Sequence, residues 1–406
     1  MWKEISGRIA NTGQHPDGHN WYRLKVNAHV HTPYSFSSFD SIDSIIAAAR
    51  KENISVLGIN DFNTVDGYTE WADKCYHNGI YPLFNIEMIG LSRSDMKEGR
   101  KINDPNNPGR MYISGKALTY PIKRSEWNTN RLKHIRNLSN EHVRLMTRKV
   151  NELLGEIDMN LKIDFDEMLR SHTKGMARER HLAGMIRSTI EASKGSGKKR
   201  NEIFRKLLGD DFNDHHHDDK AGLENFIRSR LLKAGGAAYI EEDPDIFIEP
   251  GEIRAMILDA GGIPTYPFLA DFNNGSYTGF EADREKAAAS LMEQGFYSAE
   301  FIPMRNDYIY LRDYVMFLYD RGFIITFGTE HNAPGIEPLE VRAGGTYELD
   351  NDLQRINYES ACIMAAHQYS MATGGTGFLD GQGKPKTGDR EEFIGLGDKI
   401  IKTVCL

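Results

Sequence analysis

Two histidines stand two residues apart in Asn27-Ala28-His29-Val30-His31-Thr32, at the end of an apolar run. On a strand, residues two apart project from one face, about 6.6 Å apart at 3.3 Å per residue, so both imidazoles can reach one ion. The alternative is a pair of ordinary buried or surface histidines. Glu87 closes the apolar run Tyr81-Pro82-Leu83-Phe84-Asn85-Ile86, and a lone acid ending a buried strand needs a cation or a strong hydrogen-bond partner to offset its desolvation. A metal is one such cation. Near the other end, Ile324-Ile325-Thr326-Phe327-Gly328-Thr329-Glu330-His331-Asn332 delivers an acid, an imidazole and an amide in the same manner. Asp61, in Ile59-Asn60-Asp61-Phe62-Asn63-Thr64, is the weakest of the set, because aspartate is common as a turn or N-cap residue. Four strand ends carrying His, Asp or Glu suit the rim of a barrel, where barrel enzymes place their functional groups.

The elements that must hold these residues alternate. Strands are expected at 24–30, 55–60, 81–86, 263–266, 298–302 and 323–329, and helices at 41–52, 65–78, 132–155, 178–192, 249–260, 282–294, 308–321 and 354–372. Gly79, Gly261-Gly262, Gly295 and Gly322 fall between a helix and the next strand, where a left-handed C-cap glycine belongs. Alternation of this kind predicts an α/β fold with a parallel sheet or barrel. The set is about one strand short of a barrel, and the regions 91–130 and 221–248 are where it is expected. The Asp104-Pro105-Asn106-Asn107-Pro108-Gly109 stretch and the Gly-, Lys- and His-rich 193–221 break the alternation and read as insertions on one domain spanning 1–406, with a C-terminal helical segment from about 354.

Composition narrows the function. With 406 residues, 40% hydrophobic and 27% charged, the chain has material for a large core, and 50 Lys and Arg against 58 Asp and Glu leave a net charge of -8. Nucleic acid is not expected as a partner, since no basic footprint is present. No run reaches the length of a membrane span and the start lacks an apolar signal core, so a soluble, cytoplasmic protein is expected. Cys75, Cys362 and Cys405 are too few and too scattered for a disulfide framework or a thiolate zinc site, which leaves His and carboxylate to hold any metal.

Taken in order, these residues resemble the polymerase-and-histidinol-phosphatase (PHP) family of metal-dependent phosphoesterases. His29-Val30-His31-Thr32-Pro33-Tyr34-Ser35 is similar to the family's opening His-x-His-Thr with a following Ser. Asn60-Asp61-Phe62-Asn63-Thr64-Val65-Asp66-Gly67 resembles its Thr-Asp-His-Asn-Thr and Asp-Gly, with Phe62 where the family has His. Glu87 corresponds to its strand-three glutamate, and Arg178-Glu179-Arg180-His181-Leu182-Ala183 echoes Arg-Pro-His-hydrophobic-Ala. Ala-His-Pro is matched as Thr265-Tyr266-Pro267, Gly-x-Glu as Ser298-Ala299-Glu300, and Gly-Ser-Asp-x-His as Gly328-Thr329-Glu330-His331-Asn332. The motifs cover residues 24–332.

The resemblance implies a distorted seven-stranded (β/α) TIM-like barrel and up to three metal positions. It implies that His29, His31, Glu87 and Glu330 hold the first ion. A second would share Glu87 and use His181, with Tyr266 where an imidazole stands in the family. A third lacks its imidazoles, because Phe62 and Asn332 occupy those places. One or two divalent ions are expected, and the mixed nitrogen and carboxylate donors suit Zn, Mn or Fe better than Ca or Mg. The implied activity is hydrolysis of a small phosphorylated or otherwise anionic substrate through metal-activated water, with Asp61 or His331 handling protons. His331 reaches the rim either through a strand bulge or as a hydrogen-bond partner of Glu330 or substrate. Lys116, beside a glycine in the first insertion, is expected to act as a lid contact to the substrate anion. Arg180, Tyr266, Glu300 and Asn332 are also expected to face substrate. His134, His142 and Arg144 read as a solvated helix face, Asp214-His215-His216-His217-Asp218-Asp219 as a solvated loop, and Gly374-Gly375-Thr376-Gly377 as a turn. Two rival readings are an amidohydrolase-type hydrolase, which also opens with His-x-His on a first strand, and a degenerate PHP-like protein that binds metal or ligand without catalysis.

Overall fold

The structure is a computed structural model and describes residues 1–11, 24–213, 215, 219–270, 277–332 and 337–405. Seven strands form one sheet in chain order: β1 (Lys25–Val30), β2 (Ile54–Phe62), β3 (Tyr81–Leu91), β4 (Arg110–Lys116), β5 (Ile263–Phe268), β6 (Ser298–Phe301) and β7 (Ile324–Phe327). The last strand returns to the first through a parallel bridge between Val30 and Glu330, with His31 N donating to Glu330 O at 2.8 Å and Glu330 N to His29 O at 3.0 Å. The chain therefore folds as an α/β, nearly closed, distorted seven-stranded barrel. Gly328 permits the closure, since a Cβ there would stand 2.2 Å from that of His29.

Six strands lie where the alternation predicts them. The seventh, β4, falls in the first of the two regions reserved for it, within what reads in sequence as an insertion. It runs antiparallel to both β3 and β5, and the other pairings are parallel. Alternation of strands and helices signals parallel neighbours, so a strand entered from a Pro- and Asn-rich loop, with no crossover helix before it, leaves no such signal.

Each parallel crossover is carried by helices on the outer face: α1 (Trp2–Asn11) precedes β1, and α2 (Ile42–Lys51) and α3 (Tyr68–His77) follow β1 and β2. Ser41 starts α2 with a reciprocal capping box to Ser44. The predicted glycine caps at Gly79, Gly261, Gly295 and Gly322 all have positive φ. The main core lies between sheet and helices and includes Ile45, Trp71, Phe84, Leu291, Phe301 and Phe327. The barrel interior is polar instead: Asn85 Nδ2 donates to Ala28 O at 3.0 Å, Ser114 Oγ to Glu300 Oε2 at 3.1 Å, and Lys116 Nζ to Ala28 O at 3.2 Å.

Between β3 and β4 lies α4 (Arg93–Lys97), and between β4 and β5 the chain builds a helical layer. It comprises α5 (Glu126–Ile157), α6 (Phe165–Ser171), α7 (Glu179–Glu191), α8 (Gly197–Leu208), α9 (Lys220–Ile227) and a π-helical turn (Arg228–Leu232), and α10 (Pro250–Asp259) then leads into β5. The layer has an apolar cluster of its own, with Val150, Phe165, Leu182, Ile186, Phe204 and Ile227. The helix expected at 178–192 thus packs in this layer. After β5 come α11 (Gly279–Ala282), α12 (Arg284–Glu293) and α13 (Tyr308–Asp320); α14 (Asn351–Ala372) and α15 (Arg390–Cys405) pack together over the β1 and β7 side. No helix of the described residues is long and apolar enough to cross a membrane.

Candidate metal centre

The i, i+2 spacing on β1 works as the strand rule requires. His29 and His31 are buried, with their Nε2 atoms 3.3 Å apart. Parallel pairing sets Phe62, at the end of β2, beside Glu87 within β3, and Glu87 Oε2 comes 3.3 Å from His31 Nε2 and 3.8 Å from His29 Nε2. His29, His31 and Glu87 can each offer a donor atom within 4.8 Å of the others. Burial lowers the His31 pKa to about 4, the neutral state that ligation needs. Burial also raises Glu87, and His29 opposes that rise. Two imidazoles beside a buried carboxylate with no Lys or Arg ion pair among the described residues make a donor set that fits a divalent ion.

The other side of His29 is fixed by the barrel interior. His29 Nδ1 lies 3.1 Å from Glu300 Oε2, and Glu300 forms an ion pair with Lys116, both fully buried. Burial would raise the Glu300 carboxyl, but Lys116 and His29 together outweigh it and hold the carboxyl down at about 2. Glu300 is therefore an anion that orients the imidazole from behind.

Glu87, with the Phe36 and Phe62 rings that stack on His31, lines a cavity of about 580 Å³ walled by barrel and helical layer together. Phe62 stacks on His31 at 5.4 Å and 5° between planes, Phe36 stacks on His31 at 4.9 Å, and Tyr112 meets Phe62 edge-on. Six cations line the wall: Arg110, Arg178, Arg180, Arg228, Lys233 and Arg305. Four have carboxylate partners: Arg110 with Glu242, Arg228 and Lys233 with Glu179, and Arg305 with Glu330. Arg178 sits over the Phe62 ring at 5.2 Å and Arg180 over Phe36 at 5.5 Å, with no ion pair to either among the described residues. Arg180 has a buried Nη1 without a hydrogen-bond partner, and burial, then the nearby Arg228 charge, lower its pKa to about 10. The same wall carries Glu87, Asp104, Glu179 and Glu330, so in a chain of net charge -8 its cations outnumber its acids by six to four.

Of the residues expected at the site, His29, His31, Glu87, Glu330, Arg180 and Asn332 meet here, and six others have different work. Asp61 does not line the cavity. It accepts from Thr32 N, Thr32 Oγ1 and Ser35 Oγ at 2.5–2.7 Å, pinning the turn that carries His31. His331 turns away, because Glu330 and His331 are both left-handed, with φ of 62° and 55°. Its ring nitrogens bond Thr329 Oγ1 at 2.8 Å and Glu337 O at 2.7 Å instead of reaching the three donors. His181 accepts from Arg178 N at 3.0 Å and so caps its own helix. Lys116 is not a lid contact: it is an interior residue of β4 paired with Glu300, and Glu300 correspondingly lies behind His29, outside the cavity lining. Of the Asp214–Asp219 tract, residues 214 and 216–218 lie outside the described residues.

Tyr266 also leaves the site. Its hydroxyl donates to Glu281 Oε1 at 2.9 Å in the layer between sheet and helices, where Leu269 N and Ala270 N also donate to Glu281. Burial raises Glu281 to about 8, against the pull of those three donors. A carboxyl raised in the folded state stabilises fully below its ordinary value near 4.5 and loses that contribution as pH rises through about 8. Stability relative to Glu281→Gln is therefore expected to fall between about pH 5 and pH 8, by up to about 1.4 kcal/mol per pH unit, and to level off above. Urea unfolding of both chains at three pH values checks this, and a constant difference would contradict it.

Arg305, Arg178, Phe36 and Tyr112 are site residues that sequence reasoning passed over. Arg305 had a usable signal, a cation just beyond β6 at the rim end of a barrel strand. Arg228 and Lys233 had none, because the helical layer that brings them over the barrel is a tertiary arrangement.

Comparison with known proteins agrees with this geometry. A model of the family described as "PHP domain" matches residues 27–207. A solved amidohydrolase of Chromobacterium violaceum with bound sulfate is similar at 15% identity and a TM-score of 0.50, covering 78% of this chain and 90% of that one. A Bifidobacterium adolescentis protein, described as a candidate metal-dependent phosphoesterase, is 14% identical at a TM-score of 0.49, covering 82% and 94%. No curated protein matches the chain. The family match thus covers residues 27–207, the stretch that holds His29, His31, Glu87 and His181, and the likeness to a solved structure extends the agreement to the fold.

Proposed function

We propose that the chain is a metal-dependent hydrolase whose substrates are small phosphoesters. The observation that carries this reading is the buried His29, His31 and Glu87 set, whose Glu87 lines a cavity with a largely cationic wall. The PHP family match and the fold support the hydrolase class. The phosphoester preference rests on Arg178 and Arg180, which face the cavity without a carboxylate partner and suit a multiply charged oxyanion.

A Zn, Mn or Fe ion bound by the three donors supplies an acidified water and an electrophile for a phosphoryl oxygen. The chain's own residues do the rest. Glu300 orients His29, the Thr32 and Ser35 contacts of Asp61 hold the turn bearing His31, and Phe36 and Phe62 keep water from the flank of His31. The arginines draw in and align the anion.

The test is a panel of phosphomonoesters set against lactones and amides, run on chelator-stripped chain before and after adding Zn or Mn. Phosphoester turnover that vanishes on stripping and returns with metal is expected, and it should be absent in His29→Ala. Turnover of lactones or amides alone would move the chain to amidohydrolase-type chemistry. No metal-dependent turnover of any class would leave a binding protein.

A further inference from the structure

We propose that this centre takes a single divalent ion, on His29, His31 and Glu87, and that the Arg305 guanidinium is the second positive charge an anionic substrate meets there. The inference deepens the reading above and rests on it for the substrate's charge.

The first argument is a charge inventory of the buried acids. Glu300 is paired with Lys116, and Glu330 is held by both terminal nitrogens of Arg305. Asp61 is satisfied by Thr32 and Ser35, Glu281 by Tyr266 and two amides, Glu359 by Tyr319 and Arg355, and Asp104, which lines the cavity, by Asn106 N, Asn107 N and Asn107 Nδ2. Glu87 alone among these faces only imidazoles. One divalent cation compensates it; a second would find no free carboxylate unless the Arg305 pair broke, at the cost of leaving a buried charge unmatched. His29, His31 and Glu87 form the one group of three or more such donors among the described residues.

The second argument is what fills the neighbouring space. Phe62 lies flat on His31, a ring that cannot ligate. Asn332 Nδ2 donates to Glu330 Oε2 at 2.6 Å, and His181 and His331 are turned to partners of their own. Where further ions would need donors, the structure has apolar surface and committed side chains. Arg305, brought to the rim by the turn after β6 (Pro303–Arg305), lines the cavity, and with one fork on Glu330 it remains partly exposed there, with further N–H groups to offer a phosphoryl oxygen. Glu330 on this account is the residue that positions Arg305 and not a ligand.

The test needs no turnover. Full-length chain is loaded with excess Mn or Zn, freed of unbound metal, and counted by plasma mass spectrometry; inorganic phosphate binding is then measured by calorimetry. About one ion per chain is expected in the wild type, in Arg305→Ala and in Glu330→Gln. Phosphate affinity should fall about tenfold or more in Arg305→Ala and by less in Arg305→Lys, which keeps the charge without the fork. Two ions in the wild type, loss of the ion in Glu330→Gln, or unchanged phosphate affinity in Arg305→Ala would each overturn the proposal. Because count and phosphate affinity are read without a reaction, their failure is distinct from a failure to find a phosphoester substrate.

Discussion

Glu87→Gln is expected to abolish metal retention and to lower metal-dependent turnover by on the order of 10³-fold or more, while the metal-free chain becomes more stable. The two effects have one cause. Glu87 is 4% exposed, burial raises its pKa to about 8, and among the described residues only the His29 and His31 rings come within ion-pair reach of its carboxyl. Burying such a group without a cation costs several kcal/mol, and an amide of the same shape removes that cost. A gain of about 1–3 kcal/mol in the metal-free state is expected at pH 8. Adding Zn or Mn should reverse the order, because ligand binding stabilises only the chain that binds. Thermal unfolding of both chains with and without metal reads the crossing. A Glu87→Gln chain that is destabilised without metal would mean that Glu87 is held by a partner other than an ion.

Lys116→Met has the largest expected cost in stability. The lysine is fully buried, pairs with an equally buried Glu300 and donates to Ala28 O. Removing it leaves Glu300 uncompensated in the barrel interior, which costs about 3–5 kcal/mol by analogy with other broken buried pairs. The pH dependence follows from the sign. In the wild type Glu300 is held low, so its contribution is present above about pH 4.5 and is lost as pH falls toward 2. Without Lys116, burial raises the same carboxyl, so the variant should recover stability as pH falls. The double variant Lys116→Met with Glu300→Gln should regain most of the loss, since no charge is then left alone. Metal affinity in Lys116→Met should drop about 10- to 100-fold through the disturbed support of His29. Chemical unfolding at pH 5 and pH 8 tests the stability claim, and a loss under about 1 kcal/mol at both would refute it.

These expectations separate what is local from what is not. The two-residue repeat of a strand puts His29 and His31 on one face, whereas Glu87, expected where its strand stops, lies inside β3, which continues to Leu91 along β4. Helix caps, glycine breaks and alternation likewise act over a few residues, and they account for six of the seven strands and the α/β class. The sequence by itself determined the α/β class for that reason and brought His29, His31 and Glu87 into one set, while the barrel was expected from the family resemblance and Glu330, expected as a fourth ligand, pairs with Arg305. The tertiary structure decided who pairs with whom. Lys116 and Glu300 are 184 residues apart in the chain and meet only because β4 enters antiparallel and the barrel closes around them. Glu330 faces Arg305 and not the donors, and His331 faces Glu337, because two consecutive left-handed residues turn the chain at the seam where β7 meets β1. Tyr266 points to Glu281, and Arg178 and Arg180 cover the mouth, because a helical layer and a short helix pack there. A side chain's direction at a strand end depends on its next one or two dihedrals, but its partner depends on closure of the whole sheet, which no short stretch of sequence encodes.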